Sequence, residues 1–235
     1  MKISHLFLVL ALVGLSGCAM EDKPAEKVEQ KDPANAYALP LKAEVAEALI
    51  KDVYKDISGF GLNAVESAKI SSKGGNATYG EILFSSLQTL LYELNLTKDD
   101  TFYDLGSGVG KACMQVALVT PARAVGVELS PSRTAKAREA LKRVENSYHI
   151  KSKVEFKEEN ITDVTMKKSA VVFTCSACFP DKLLNDIAEK CKKTPGMVRV
   201  LSLKALPGLT PVKVYKLPMT WTLQTDVFYY VLAND

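Results

Sequence analysis

The chain has 235 residues, 47% hydrophobic and 24% charged, the composition of one globular unit with a tail rather than of a disordered, fibrous or repeat protein. Its 30 basic and 27 acidic residues leave a formal charge of +3 with no run of Lys and Arg, so no nucleic-acid surface is indicated. Five cysteines do not demand a disulfide scaffold at this length, and the two histidines, His5 and His149, argue against a His-based triad or a multi-histidine metal site.

The chain opens with Lys2, an apolar run from Leu6 to Leu15, and small residues before Cys18. About ten apolar residues are half the roughly 20 that a spanning helix needs, so residues 1–17 read as a cleavable export signal. Leu15-Ser16-Gly17-Cys18 resembles the lipoprotein box, which implies cleavage before Cys18 and acylation of its thiol; Ala19 in the next position favours the outer membrane. Glu21 to Asn35 carries eight charges and two prolines with almost nothing to bury, so residues 18–36 read as a flexible tether. The expectation is an exported protein held at a membrane by its N-terminal lipid. Initiation at Met20 would instead leave it cytoplasmic.

Residues 37–96 are expected to form N-terminal helices and a covering loop. Leu41, Val45, Leu49, Val53 and Ile57 recur every four residues and predict a helix from Ala38 to Ile57. Gly59 to Gly75, with four glycines and the polar stretch Ser71 to Asn76, predicts a loop. A second helix is expected from Gly80 to Leu94, where Leu83, Leu87, Leu90, Leu91 and Leu94 share a face. Residues 97–235 then alternate strand and helix. Strands are expected at Thr101–Leu105, Ala124–Glu128, Val154–Phe156, Ala170–Thr174 and Met197–Leu203, and helices at Lys111–Val119, Pro131–Tyr148 and Asp181–Lys193. Two closing strands, Val212–Leu217 and Asp226–Leu232, have no helix between them and predict an antiparallel pair. The pattern defines an α/β fold with a mostly parallel sheet covered by helices on both faces.

Chemistry concentrates at Asp104-Leu105-Gly106-Ser107-Gly108-Val109-Gly110, between the first strand of the alternation and a helix. Gly106 and Gly108 let backbone approach a ligand closely, and the helix brings its leading N–H groups to the same place. The spacing is not that of a dinucleotide fingerprint. Glu128 ends the next strand, where a carboxylate can accept from both ribose hydroxyls, and Asp104 suits a ligand carrying an ammonium group and repels a phosphate. The order of carboxylate, glycine turn, helix, strand and carboxylate resembles class I S-adenosyl-L-methionine methyltransferases, which have a Rossmann-like fold.

Ala77-Thr78-Tyr79-Gly80-Glu81-Ile82, Phe102 to Gly110, Val125-Gly126-Val127-Glu128, Phe179-Pro180-Asp181, Ser202-Leu203-Lys204, Trp221 and Tyr229-Tyr230 resemble, in that order, the Dot1-type histone lysine methyltransferases and their bacterial relatives. The similarity covers about residues 77 to 232. It implies that Tyr79 and Glu81 form a loop over the methionine end of S-adenosyl-L-methionine, and that Asp104, Gly106 and Gly108 cradle the cofactor while Glu128 holds its ribose. It also implies that Asn160 meets the adenine and that Tyr229 lines the nucleophile's channel. The partner implied is a protein with an exposed lysine, and Thr174 and Tyr229 are expected to position the acceptor in a monomeric protein; the alternatives are a small-molecule methyltransferase on the same cofactor and a catalytically inactive surface lipoprotein that uses the fold as a binding module.

Three positions depart from the family. Lys111 replaces the glutamine after the last glycine, Asn160-Ile161 replaces an aspartate and an aromatic, and Thr174-Cys175 replaces paired asparagines. Cys175 and Cys178 form a C-x-x-C pair without a second pair or a supporting histidine, so they read as structural or pocket-lining thiols. Cys113 and Cys191 read as core residues. Trp221 is expected in the core, and Lys204 and Arg199 as solvated charges. The family's long basic tail is absent from this sequence, so a histone acceptor is not indicated.

Overall fold

The computed structural model describes residues 39–234; Cys18, the export signal and the tether fall outside them. Its elements run α1 (Ala43–Val53), α2 (Ala64–Ser72), α3 (Phe84–Leu94), β1 (Thr101–Leu105), α4 (Lys111–Val119), β2 (Arg123–Glu128), α5 (Pro131–Ser147), β3 (Val154–Glu158), β4 (Ala170–Thr174), α6 (Asp181–Lys193), β5 (Gly196–Ser202), β6 (Lys213–Met219) and β7 (Thr222–Asn234). The strands form one sheet in the order β3-β2-β1-β4-β5-β7-β6. Strands β1 to β5 are parallel, and β7 lies antiparallel between β5 and β6. The expected mixed Rossmann-like sheet is therefore present. Its order reverses between β1 and β4, the point at which ligands bind beyond the carboxyl ends of the strands in open α/β sheets.

Both faces of the central strands are covered, so β1, TFYDL, is buried throughout instead of alternating. Phe102 joins one core cluster with Leu49, Leu90, Met114 and Phe173, fed by α1, α3, α4 and α5. Tyr103 and Leu105 point into the other, with Val172, Leu184, Ile187 and Tyr230. Helix α4 lies within the first cluster, and Ala112 to Leu118 are buried on all sides. Its buried Gln115 donates to the Phe84 carbonyl at 2.9 Å. The N-terminal helices and the sheet are thus joined through one shared core.

Several expectations are corrected. The stretch from Gly59 to Gly75 is not all loop, because it contains α2. Asn63 caps that helix by accepting from the Glu66 N–H at 2.8 Å, and an asparagine three residues before a glutamate is a helix-start signature. The second helix begins at Phe84, since residues before it are extended and Ile82 bridges to Met219. Trp221 is 46% exposed and packs against Gly80 instead of entering the core. Arg199 is no solvated charge: its guanidinium pairs with Asp100 and donates to the Leu94 carbonyl at 2.7 Å. Lys204 donates to the Phe179 carbonyl at 3.0 Å. The proline expected in the first turn of α5 is there, with Ser130 as the cap. No helix among the described residues is long and apolar enough to cross a membrane.

Asp100 joins the loop before β1 to the middle of β5, accepting from the Thr97 N–H at 2.7 Å as well as from Arg199. Asp100→Ala leaves the guanidinium uncompensated. It should cost about 3–5 kcal/mol, read as a lowered urea midpoint at unchanged slope.

Candidate active site

A cleft of about 950 Å³, counting the space open to solvent, lies at the carboxyl ends of β1, β2 and β4. Asp104, Gly106, Gly108, Glu128 and Asn160 line it from the sheet side, and Tyr79 and Glu81 from the segment that crosses it. Seven of the residues expected at a cofactor site are therefore together.

The turn after β1 is built by hydrogen bonds that only an open backbone permits. The N–H groups of Gly106 and Ser107 both donate to the Val127 carbonyl, at 2.8 and 3.1 Å, bending the chain over β2. Gly108 donates to Glu128 Oε2 at 2.8 Å, and Ser130 donates to Oε1 of the same carboxylate at 2.8 Å. Each oxygen keeps acceptor capacity for a ligand hydroxyl. Gly108 has φ of +54°, and a Cβ there would stand 2.5 Å from the Tyr79 ring. The glycine thus seats the covering aromatic as well as leaving room for a ligand.

Asp104 is buried, and its Oδ1 has no hydrogen-bond partner among the described residues. Burial, reinforced by the Glu128 carboxylate, pushes its carboxyl up to about 8. A buried acid left short of partners beside a second carboxylate calls for a cation. Asn160 accepts from the Thr162 N–H at 3.2 Å through its side-chain oxygen, which fixes the amide at the rim.

The segment over the cleft is held by groups far away in sequence. The Tyr79 hydroxyl donates to Glu81 Oε1 at 2.6 Å, and Lys111 pairs with Glu81 Oε2 at 2.8 Å. Burial, with Glu81 adding, raises the Tyr79 phenol well above its usual range. Arg133 was not foreseen from sequence. It donates to the carbonyls of Gly59 and Ala77 at 3.0 and 2.8 Å and places its guanidinium 4.8 Å from the centroid of the Tyr79 ring. Its partners lie 74 and 56 residues upstream, and no local pattern announces them. Glu66 was also missed: it accepts from the Ser130 hydroxyl and from the Ser132 N–H and hydroxyl, docking α2 on the start of α5. Burial works against its charge, but those hydrogen bonds outweigh it and hold the carboxyl below its usual range.

Neither of the two residues expected to position an acceptor lines this cleft. Thr174 is fully buried and its hydroxyl donates to the Leu105 carbonyl at 3.0 Å, so it ties β4 to β1 and does not line the cleft. Tyr229 is half-buried on β7, opposite Leu201 of β5 and Lys213 of β6, also outside the lining. Strand geometry explains the first correction, because successive side chains leave opposite faces and Cys175 is the one presented to the cleft. Its thiol donates to the Gly80 carbonyl at 3.7 Å and is pushed up to about 12, mainly by burial. Cys178 is exposed, Cys113 and Cys191 are buried, and all four are free thiols.

Strand order, glycine turn and paired carboxylates define the fold of class I S-adenosyl-L-methionine methyltransferases. An RNA methyltransferase from Salinibacter ruber, solved with S-adenosyl-L-homocysteine, shares it with a TM-score of 0.51 at 20% identity, over 63% of this chain and 91% of its own. So does a putative RNA methyltransferase from Pyrococcus horikoshii, with a TM-score of 0.51 at 13% identity, over 80% of this chain and 97% of its own. Residues 62–217 match the family described as "Histone methylation protein DOT1", and the chain belongs to that family. Among its relatives are histone-lysine N-methyltransferases, H3 lysine-79 specific. That of Cryptococcus neoformans is 25% identical over 149 residues, and that of Drosophila melanogaster 29% over 141 residues. The matches take in 59% and 54% of this chain but only 23% and 7% of those relatives, so this chain spans a small part of their length.

The residues present fit S-adenosyl-L-methionine. The unpartnered Asp104 oxygen suits its ammonium, and the two half-used oxygens of Glu128 suit its ribose hydroxyls. A carboxyl near 8 gives binding a pH dependence of known sign, since an ammonium is held by the ionised form and protons compete with it. Affinity for S-adenosyl-L-homocysteine should fall about twentyfold from pH 8.5 to 6.5, given a carboxyl at about 8. Asp104→Asn should flatten that calorimetric profile.

Proposed function

We propose that this protein is an S-adenosyl-L-methionine-dependent methyltransferase whose acceptor is an exposed lysine side chain of a protein. One observation carries the cofactor reading: a buried carboxylate with an unpartnered oxygen stands beside a glycine turn whose backbone is fixed by a second carboxylate. Membership of the DOT1 family supports lysine as the acceptor.

When bound, S-adenosyl-L-methionine supplies a methyl group on a sulfonium, which an amine takes by in-line displacement as the sulfur loses its charge. Alignment and exclusion of water then carry the rate, and no strong base is required. Asp104 would hold the amino-acid end of the cofactor and Glu128 its ribose, and Asn160 stands at the rim to meet the adenine. Tyr79 and Glu81 cover the cleft, held by Arg133 and Lys111. Phe173, Phe179 and Cys175 add apolar wall to the cleft.

Calorimetric titration with S-adenosyl-L-homocysteine tests the first half. Wild type should bind, and Glu128→Ala should lose at least about tenfold in affinity. A folded wild-type protein that binds nothing sinks the reading. Transfer of labelled methyl from the cofactor into proteins, recovered as methyl-lysine after hydrolysis, tests the second half; label recovered only in small molecules would replace the protein acceptor with a metabolite.

The same reading extends to location. Lys2, the apolar run and Cys18 support an exported, lipid-anchored protein, which must then obtain a cofactor made in the cytosol. Mass spectrometry of the cellular N-terminus should find an acylated Cys18, and an unmodified terminus at Met20 would establish the cytoplasmic form in its place.

A further inference from the structure

Lys111 stands where a helix least favours a cation. It is the first residue of α4, directly after Gly110, at the positive end of the helix dipole, where anions are the stabilising neighbours. Two groups hold it there: Glu81 Oε2 at 2.8 Å and the Tyr54 ring, whose centroid is 5.5 Å from Nζ. Tyr54 is itself fixed, its buried hydroxyl donating to the Val109 carbonyl at 3.0 Å. Glu81 belongs to the covering segment, not to the scaffold beneath, and already accepts from Tyr79 through its other oxygen.

Both members of the Lys111–Glu81 pair line the cleft, with side chains 34% and 20% exposed. The other cations of the lining are committed or peripheral. Arg133 spends its guanidinium on two carbonyls and the Tyr79 ring, and Lys73 is exposed just after α2. An ammonium has three donors and Glu81 takes one, so Lys111 has capacity for a second anion.

Resting on the methyltransferase reading above, we propose that Lys111 receives the α-carboxylate of the cofactor's amino-acid portion, drawing it into competition with Glu81, and so makes the cleft selective for ligands that keep that carboxylate. The ammonium and carboxylate of an α-amino acid leave the same carbon, so their receptors must be neighbours of opposite sign. Asp104 near the end of β1 and Lys111 at the start of α4 are such a pair, flanking the glycine turn and both lining the cleft. The leading N–H groups of α4 have no acceptor within the helix and add to the attraction for an anion. Glu81 retains the Tyr79 hydroxyl as partner when Lys111 turns to the ligand, so the exchange strands neither group.

Three probes, titrated calorimetrically into the full-length protein, isolate this contact. S-adenosyl-L-homocysteine carries both charges, its decarboxylated analogue keeps only the ammonium, and 5′-methylthioadenosine has neither. Wild type should prefer S-adenosyl-L-homocysteine to the decarboxylated analogue by at least about tenfold. Lys111→Gln should collapse that ratio to about twofold, and measurable methylthioadenosine binding shows that the variant is folded. Glu81→Gln removes the competing anion and should move S-adenosyl-L-homocysteine the opposite way, to tighter binding. An unchanged ratio in Lys111→Gln overturns the proposal and leaves the cofactor reading intact. Failure of the wild type to bind any of the three overturns both.

Discussion

The carboxylate of Glu128 is the point from which the cleft is suspended. One oxygen holds the Gly108 N–H and with it the turn that starts α4; the other holds the Ser130 N–H and with it the start of α5. Ser130 then passes the connection on, because its hydroxyl meets Glu66 of α2, and Arg133, one turn further along α5, holds Gly59, Ala77 and the Tyr79 ring. A single side chain at the end of β2 therefore sets the floor of the site and, through two intermediates, the position of its cover. Hydrogen bonds to a charged acceptor in a water-poor setting are the strong ones, which suits the group that bears this much.

The cleft is also a problem in charge. Three carboxylates, Asp104, Glu81 and Glu128, line one cleft. Glu128 is satisfied by backbone donors and Glu81 by Tyr79 and Lys111, but Asp104 is left to solve its burial by taking up a proton. That unresolved acid is a store of binding energy. A cationic ligand restores its charge and gives the orphaned oxygen a partner in one step. The same acid makes the thiol of Cys175 a poor nucleophile, by adding to the burial that keeps it protonated.

What the sequence showed and what it concealed divide by range. Strands β1 and β4 and helices α4 and α6 were legible to the residue, because apolar runs and glycine or proline boundaries are local signals. The glycine turn and Glu128 were legible for the same reason, being one βαβ unit apart. Helix α2 was hidden by the glycines around it, although the Asn63–Glu66 cap was there to be read. Arg133 could not be found this way, since its role exists only once carbonyls from distant segments are folded onto it. Thr174 shows a different limit. The strand was placed correctly, yet which of two adjacent residues faces the cleft depends on pleat phase, and Thr174 spends its hydroxyl on Leu105 while Cys175 faces the cleft.

Besides Lys111 of α4, the cover has an anchor on α5, Arg133, and a second on the β6–β7 turn, where the Glu81 N–H donates to the Thr220 hydroxyl at 3.1 Å and the Thr220 N–H to the Glu81 carbonyl at 3.0 Å. Strand β6 reaches the sheet only through β7, the last of the described strands. On a ribosome, the second anchor thus emerges some hundred residues after the glycine turn. The cover therefore has its full set of contacts only once β6 and β7 have joined the sheet.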